Sequence, residues 1–154
     1  LQWDPNNRAV KITREGVRLD FGGIGKGLAV DAASETMRGL GVERHVLNFA
    51  GNLRAAEPPQ DRQGWPVEIE SIKNLDRERN HLYRFRIANV SMATSGDQFQ
   101  NFPDWKSQTR DERSSHILDP KDAGGLKGKQ LVSILAKEAS DADAAATAAC
   151  VQLR

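Results

Sequence analysis

Cysteine is nearly absent. Cys150 is the one example in 154 residues, so no internal disulfide can form and no cysteine cluster can hold zinc. Its place in an alanine-rich, helix-prone run reads as a small core residue. Long apolar runs are missing too. At a mean hydropathy of −0.59, no stretch reaches the ~20 apolar residues that a membrane-crossing helix requires. Excess charge of one sign is also missing. Lys plus Arg number 22 against 21 Asp plus Glu, interspersed, so bulk electrostatics give no case for nucleic-acid binding. The P-loop spacing, a full G-x-G-x-x-G unit and the G-x-S-x-G elbow are absent. No internal repeat, signal peptide or lipobox is visible, and the chain opens without an initiator Met, as a processed or trimmed product would. The length suits one domain, 1–154, with a sizeable core.

What is present centres on Asp20-Phe21-Gly22-Gly23-Ile24-Gly25-Lys26-Gly27. Four glycines in eight residues lie between an acid and an amphipathic run, Leu28 to Leu40. Glycine permits tight turns and close approach of a ligand to the backbone. The first amides of a helix lack intrahelical partners, and with the helix dipole they make an anion site to which Lys26 adds a mobile charge. The expectation is a phosphate or diphosphate cradle. The plainer reading is a turn that only joins a strand to a helix.

The remaining pattern is mixed. After a polar turn at Asp4-Pro5-Asn6-Asn7, Val10 and Ile12 and then Val17 and Leu19 alternate with polar residues, as in two half-buried strands with a turn at Gly16. Ala29, Ala33, Met37 and Leu40 form one helical stripe, and Gly41 suits the helix C′ position. Short strands follow at His45–Phe49, Trp65–Ile72, Tyr83–Ile87, Val90–Thr94 and Gln130–Ala136, with a turn at Ala50-Gly51-Asn52. Lys73–His81 reads as a charged hairpin or loop, and Gln98–Ser114, with Trp105, as a polar excursion. Ser140–Leu153 is helix-prone, with Ser140 as candidate N-cap. This predicts an α+β, layered fold: a mixed or antiparallel sheet flanked by two main helices, Gly27–Leu40 and Ser140–Leu153.

Several residues can carry chemistry. Asp143 and Thr147 are four apart, so on a helix they share a face, and their oxygens suit a hard cation such as Mg²⁺. They also read as a first-turn acid and a packed threonine. His116 can take a proton from an attacking hydroxyl, with Asp119 three residues on; it can equally satisfy a loop carbonyl. Asp97 can cap a turn or line a cleft, and His45 and His81 read as structural or solvated.

Taken together these stretches resemble the ApbE-type flavin transferases (FAD:protein FMN transferases). Asp20 to Gly27, extended by Ala29-Val30-Asp31, matches D-[LF]-G-G-I-[AG]-K-G, and Asn48 to Ala55 is similar to N-x-G-G-D-[IL]-R-A. Ala93 to Asp97 matches A-T-S-G-D, Ser115 to Pro120 matches S-H-I-x-D-P, and Ala142 to Thr147 matches A-D-A-x-A-T. The ordered set is more specific than any member, and it covers the chain from about Val17 to its end. The resemblance implies Mg²⁺-dependent transfer of FMN from FAD to a Ser or Thr of an acceptor redox protein bearing D-x-x-[ST]-G-A-[ST], with release of AMP. It implies FAD contacts from Asp20, Lys26 and Ile117. Metal ligation would come from Gly23 (through its carbonyl), Asp143 and Thr147. His116 would be the base and Asp119 its orienting partner. It also implies export to a bacterial periplasm, with any membrane anchor in a segment not present here. Two departures stand out: Ala50 replaces a glycine and Asn52 an aspartate. The family's N-terminal half, which supplies flavin-ring contacts, and its terminal strands have no counterpart in these residues. Three alternatives therefore accompany transfer: an FAD diphosphatase giving FMN and AMP, a non-catalytic flavin-binding remnant, and a site completed in a homo-oligomer or by a complementing chain.

Overall fold

The computed structural model describes residues 1–70, 82–96, 101–103, 113–127 and 130–153. In chain order its elements are β1 (Gln2–Asp4), β2 (Ala9–Lys11), α1 (Gly25–Gly39), β3 (Val46–Phe49), β4 (Asn52–Ala55) and β5 (Trp65–Glu70). Then come β6 (Leu82–Ile87), β7 (Val90–Gly96), β8 (Asn101–Pro103), β9 (Arg113–Ser115), β10 (Leu131–Ala136) and α2 (Ala139–Gln152). The central sheet is antiparallel in the order β10-β7-β4-β3. Both helices pack on one of its faces, and the β5–β6 hairpin covers the other. The expected α+β class with two main helices holds, and every ladder among the described residues is antiparallel.

Side-chain alternation assigns the faces. On β4 and β7, Leu53, Ala55 and Met92 point to the hairpin and form a core with Val67 and Ile87. Their neighbours point to the helices, where Ala93 packs on Ala142 and Ala146 of α2. Small residues on both sides let α2 lie close to the sheet. Arg54, on the same face, donates to the Lys137 carbonyl, Ser91 Oγ and Glu138 Oε2, fixing the approach to α2.

Local chemistry sets the boundaries. Asp4 accepts the amides of Asn6 and Asn7 at 3.1 and 3.2 Å, closing the β1–β2 turn. The Asn7 side chain, and then its backbone, hold the Asp4 carboxyl below its usual range. At the end of α1, Gly41 takes φ +79°. Its amide donates to the Arg38 carbonyl and that of Val42 to Met37, a Schellman closure as the glycine suggested.

Some expectations are corrected. Val17–Leu19 forms no strand; its alternation is present, but β2 already pairs with β1 and the segment finds no ladder among the described residues. Val10 and Ile12 are exposed, because no described layer covers the hairpin. The buried stripe of α1 is Gly27, Val30 and Ser34, not Ala29, Ala33 and Leu40, which are exposed; Ser34 turns inward to pair with His45. Helix α2 begins at Ala139 with Glu138 as N-cap, so Ser140 lies inside its first turn. The stretch read as an irregular excursion holds the β8–β9 ladder at its ends. Asp97, Trp105 and the Lys73–His81 loop lie outside the described residues.

Two residues, Ala50 and Gly51, link β3 to β4, with φ +50° and +89°. That is the primed turn which suits hairpin twist, and it favours glycine at both positions. Ala50 therefore carries left-handed strain where the family pattern has glycine. Ala50→Gly should raise stability by about 1 kcal/mol, after the extra unfolded-state entropy of glycine. Urea unfolding would check this; a lower midpoint would show that the turn is relaxed with alanine.

Candidate functional site

The glycine stretch folds onto itself before it meets anything else. Asp20 Oδ1 accepts the Gly22 amide at 2.6 Å. The Phe21 carbonyl accepts the amides of Ile24 and Gly25 at 3.0 and 2.7 Å. This tight turn launches α1 at Gly25. The amides of Gly22, Ile24 and Gly25 are thus engaged within the turn, which corrects the expectation of an open amide cradle. The anion at this helix N-terminus is a carboxylate of the protein itself.

That carboxylate is Asp143 of α2, 1% exposed. Its Oδ2 accepts the Gly27 amide at 3.0 Å, and its Oδ1 lies 3.3 Å from Lys26 Nζ. Lys26 Nζ also donates to the Gly22 carbonyl at 3.0 Å. The reverse contact exists as well. Asp31 of α1 accepts the amides of Ala139 and Ser140 at 2.7 and 2.9 Å, and so caps α2. Each helix therefore receives at its N-terminus a carboxylate from the other, a favourable pairing of charge with the positive dipole end. Gly27 makes this approach possible: a Cβ there would lie 2.6 Å from Ser140 Cα and overlap the Ala139 carbonyl.

One turn along α2 from Asp143, Thr147 Oγ1 is 3.2 Å from Ser95 Oγ at the end of β7. Gly23 rests against the same threonine; a Cβ built on it would sit 3.3 Å from Thr147 Cγ2 and 3.4 Å from Oγ1. The fold thus brings Gly23, Lys26, Asp143 and Thr147 together from two distant stretches. Ser95 joins them; it was visible only as a letter of the A-T-S-G-D element. The assembled donors are a carboxylate, two hydroxyls and backbone carbonyls, the hard oxygen set that divalent cations such as Mg²⁺ accept. No group of three or more His, Cys, Asp or Glu poised for a metal occurs among the described residues.

His116, Ile117 and Asp119 lie on a separate segment after β9. Backbone bonds between Ser115 and Leu126, Leu126 and Ile117, and Asp119 and Gly124 fold it into a narrow loop. Ile117 is buried with Leu126 and Cys150, which docks the segment on α2 one turn beyond Thr147. His116 has an exposed side chain. Asp119 Oδ1 accepts the Lys121 amide at 2.8 Å. Cys150 is the core residue its setting suggested. His45 is structural: its ring pairs with Ser34 Oγ and the Val42 carbonyl, both at 2.8 Å.

Asn52 was not singled out as a site residue. It is 1% exposed, on the helix side of β4 opposite Ala93, and neither end of its carboxamide has a partner among the described residues. Leaving such a group unpaired costs about 1–3 kcal/mol. A cavity of about 270 Å³ opens on the opposite, hairpin face, lined by Leu53, Val67, Ile69, Met92 and Leu131 among others. Its lining also includes the polar Asn48, Glu68 and Thr94, the last of them next to Ser95 on β7.

The ApbE family model matches residues 1–153. The FAD:protein FMN transferase of Rhodobacter capsulatus is 30% identical over 142 residues, covering 92% of this chain and 25% of that protein. The crystal structure of the ApbE protein of Thermotoga maritima superposes with a TM-score of 0.76 at 27% identity, over 98% of this chain and 46% of that one. The apo flavinyl transferase ApbE of Pseudomonas stutzeri gives 0.68 at 29% identity, over 87% and 39%. The chain thus spans a quarter to under half the length of these relatives.

The helix junction can be tested through stability. Gly27→Ala forces a methyl into the α1–α2 contact and should destabilise the fold by roughly 1–3 kcal/mol, as overpacking does. Thermal unfolding measures it, and an unchanged midpoint would show that the two helices are not held this close.

Proposed function

The chain belongs to the ApbE family, and from that premise we propose that it transfers FMN from FAD to a Ser or Thr hydroxyl of an acceptor redox protein. The observation that carries this reading is the convergence of Gly23, Lys26, Asp143 and Thr147 at one helix junction. The donors fit Mg²⁺, since that ion is held by one or two carboxylates with the remaining positions left to water and substrate phosphates. Gly23, Asp143 and Thr147 would hold it. When bound, it would supply charge neutralisation on the diphosphate.

The protein's residues then divide the work. Lys26 offers a positive charge to the diphosphate. Asp20, by holding the Gly22 amide, keeps the glycine turn in shape beside it. His116 accepts the proton of the acceptor hydroxyl as its oxygen attacks the phosphorus of the FMN half. Asp119 stands on the same loop to orient it. A phosphorus–oxygen ester bond forms, the anhydride bond breaks, and the departing electron pair leaves with AMP. Ile117 anchors the loop that carries the base. The acceptor would bear D-x-x-[ST]-G-A-[ST], and the reaction would belong to an exported, periplasmic setting. No helix among the described residues is long and apolar enough to cross a membrane.

Incubation with FAD, Mg²⁺ and an acceptor carrying that pattern, read by mass spectrometry, should give FMN on the acceptor's Ser or Thr. Free FMN and AMP would indicate hydrolysis instead, and intact FAD a binding remnant or a missing partner. Asp143→Ala should lose Mg²⁺-dependent FAD binding; equal binding would sink the metal assignment. His116→Ala should keep FAD binding while turnover drops by about a hundredfold or more. Unchanged turnover would remove His116 from the chemistry.

A further inference from the structure

Lys26 already holds one oxygen of the candidate cation set. Its Nζ touches two oxygens, Asp143 Oδ1 at 3.3 Å and the Gly22 carbonyl at 3.0 Å. The two partners differ sharply in environment: the Lys26 side chain is 38% exposed, that of Asp143 only 2%. A carboxylate so buried needs a counter-charge. The Gly27 amide supplies a dipole to Oδ2, and Lys26 supplies the full charge to Oδ1. An ammonium is a compact charge on a flexible four-carbon stem, suited to leaving one oxygen for another.

We propose that Lys26 is a stand-in cation. It neutralises Asp143 while no metal is bound, and it yields Oδ1 when a divalent ion arrives. The released ammonium then pairs with the diphosphate of the nucleotide. This deepens the reading above, since it rests on Asp143 and Thr147 as cation ligands. It also assigns Lys26 a coupling role. Metal and lysine compete for one oxygen, and a nucleotide relieves that competition by giving the lysine another anion. Metal and nucleotide must therefore strengthen each other's binding, by the same factor in each direction.

The test uses Mg²⁺ alone, without nucleotide. Calorimetric titration of the parent, Lys26→Met, Lys26→Gln and Asp143→Asn separates the possibilities. Removing the lysine charge should tighten Mg²⁺ binding by about three- to tenfold, as loss of a partly exposed competing ion pair would. The lysine variants should also gain more in melting temperature on adding Mg²⁺ than the parent does, a readout that survives if the metal-free variants are less stable. Asp143→Asn should abolish the binding. Unchanged or weaker binding in both lysine variants, with Asp143→Asn still abolishing it, would overturn the stand-in role and leave the cation assignment intact. Mg²⁺ binding that ignores Asp143, or no binding in any variant, would overturn both.

Discussion

A carboxylate held out of water at the meeting point of two helices is the constraint on which the rest of this structure depends. A carboxylate buried there is costly unless it is paired and hydrogen-bonded. The partners of Asp143 come from the first turn of α1: the Gly27 amide and the Lys26 ammonium. Those two groups are in place only because the glycine turn launches α1 at the right point. The turn in turn depends on Asp20 and the Phe21 carbonyl. A sequence of local hydrogen bonds thus ends in one electrostatic requirement.

The requirement is met twice, in opposite directions. Asp31 caps α2 as Asp143 caps α1. The exchange orients the helices along one another, and the lack of a side chain at Gly27 sets their separation. Thr147 follows one turn later, so its hydroxyl faces Gly23 without further adjustment. The sheet contributes by being plain at this point: Ala93 beneath Ala142 and Ala146 lets α2 settle against β7.

Much of this was legible in the sequence, for identifiable reasons. The helix stop at Gly41, the β5–β6 alternation and the fully buried Cys150 follow from local rules that tertiary packing did not override. The pairing of Gly23 and Lys26 with Asp143 and Thr147 was visible only through the ordered family pattern, because their separation exceeds a hundred residues. The face of α1 was misread because the buried stripe runs through Gly27, Val30 and the polar Ser34, which pairs with His45, while Ala29 and Ala33 are exposed. The amide cradle was misread because sequence cannot show that a partner helix supplies its own anion. Asn52 was legible only as a change from the family's aspartate: a polar residue on a short strand gives no sign that neither end of its carboxamide will find a partner among the described residues.

Among the described residues strand β3 bounds the central sheet, and Val46 and Phe49 leave apolar surface exposed along it. Its outward amides and carbonyls form a template for one more strand. A polypeptide added there would lie alongside Phe49, which leads through the strained Ala50 to Asn52. The border of the sheet and the buried carboxamide are thus only one two-residue turn apart.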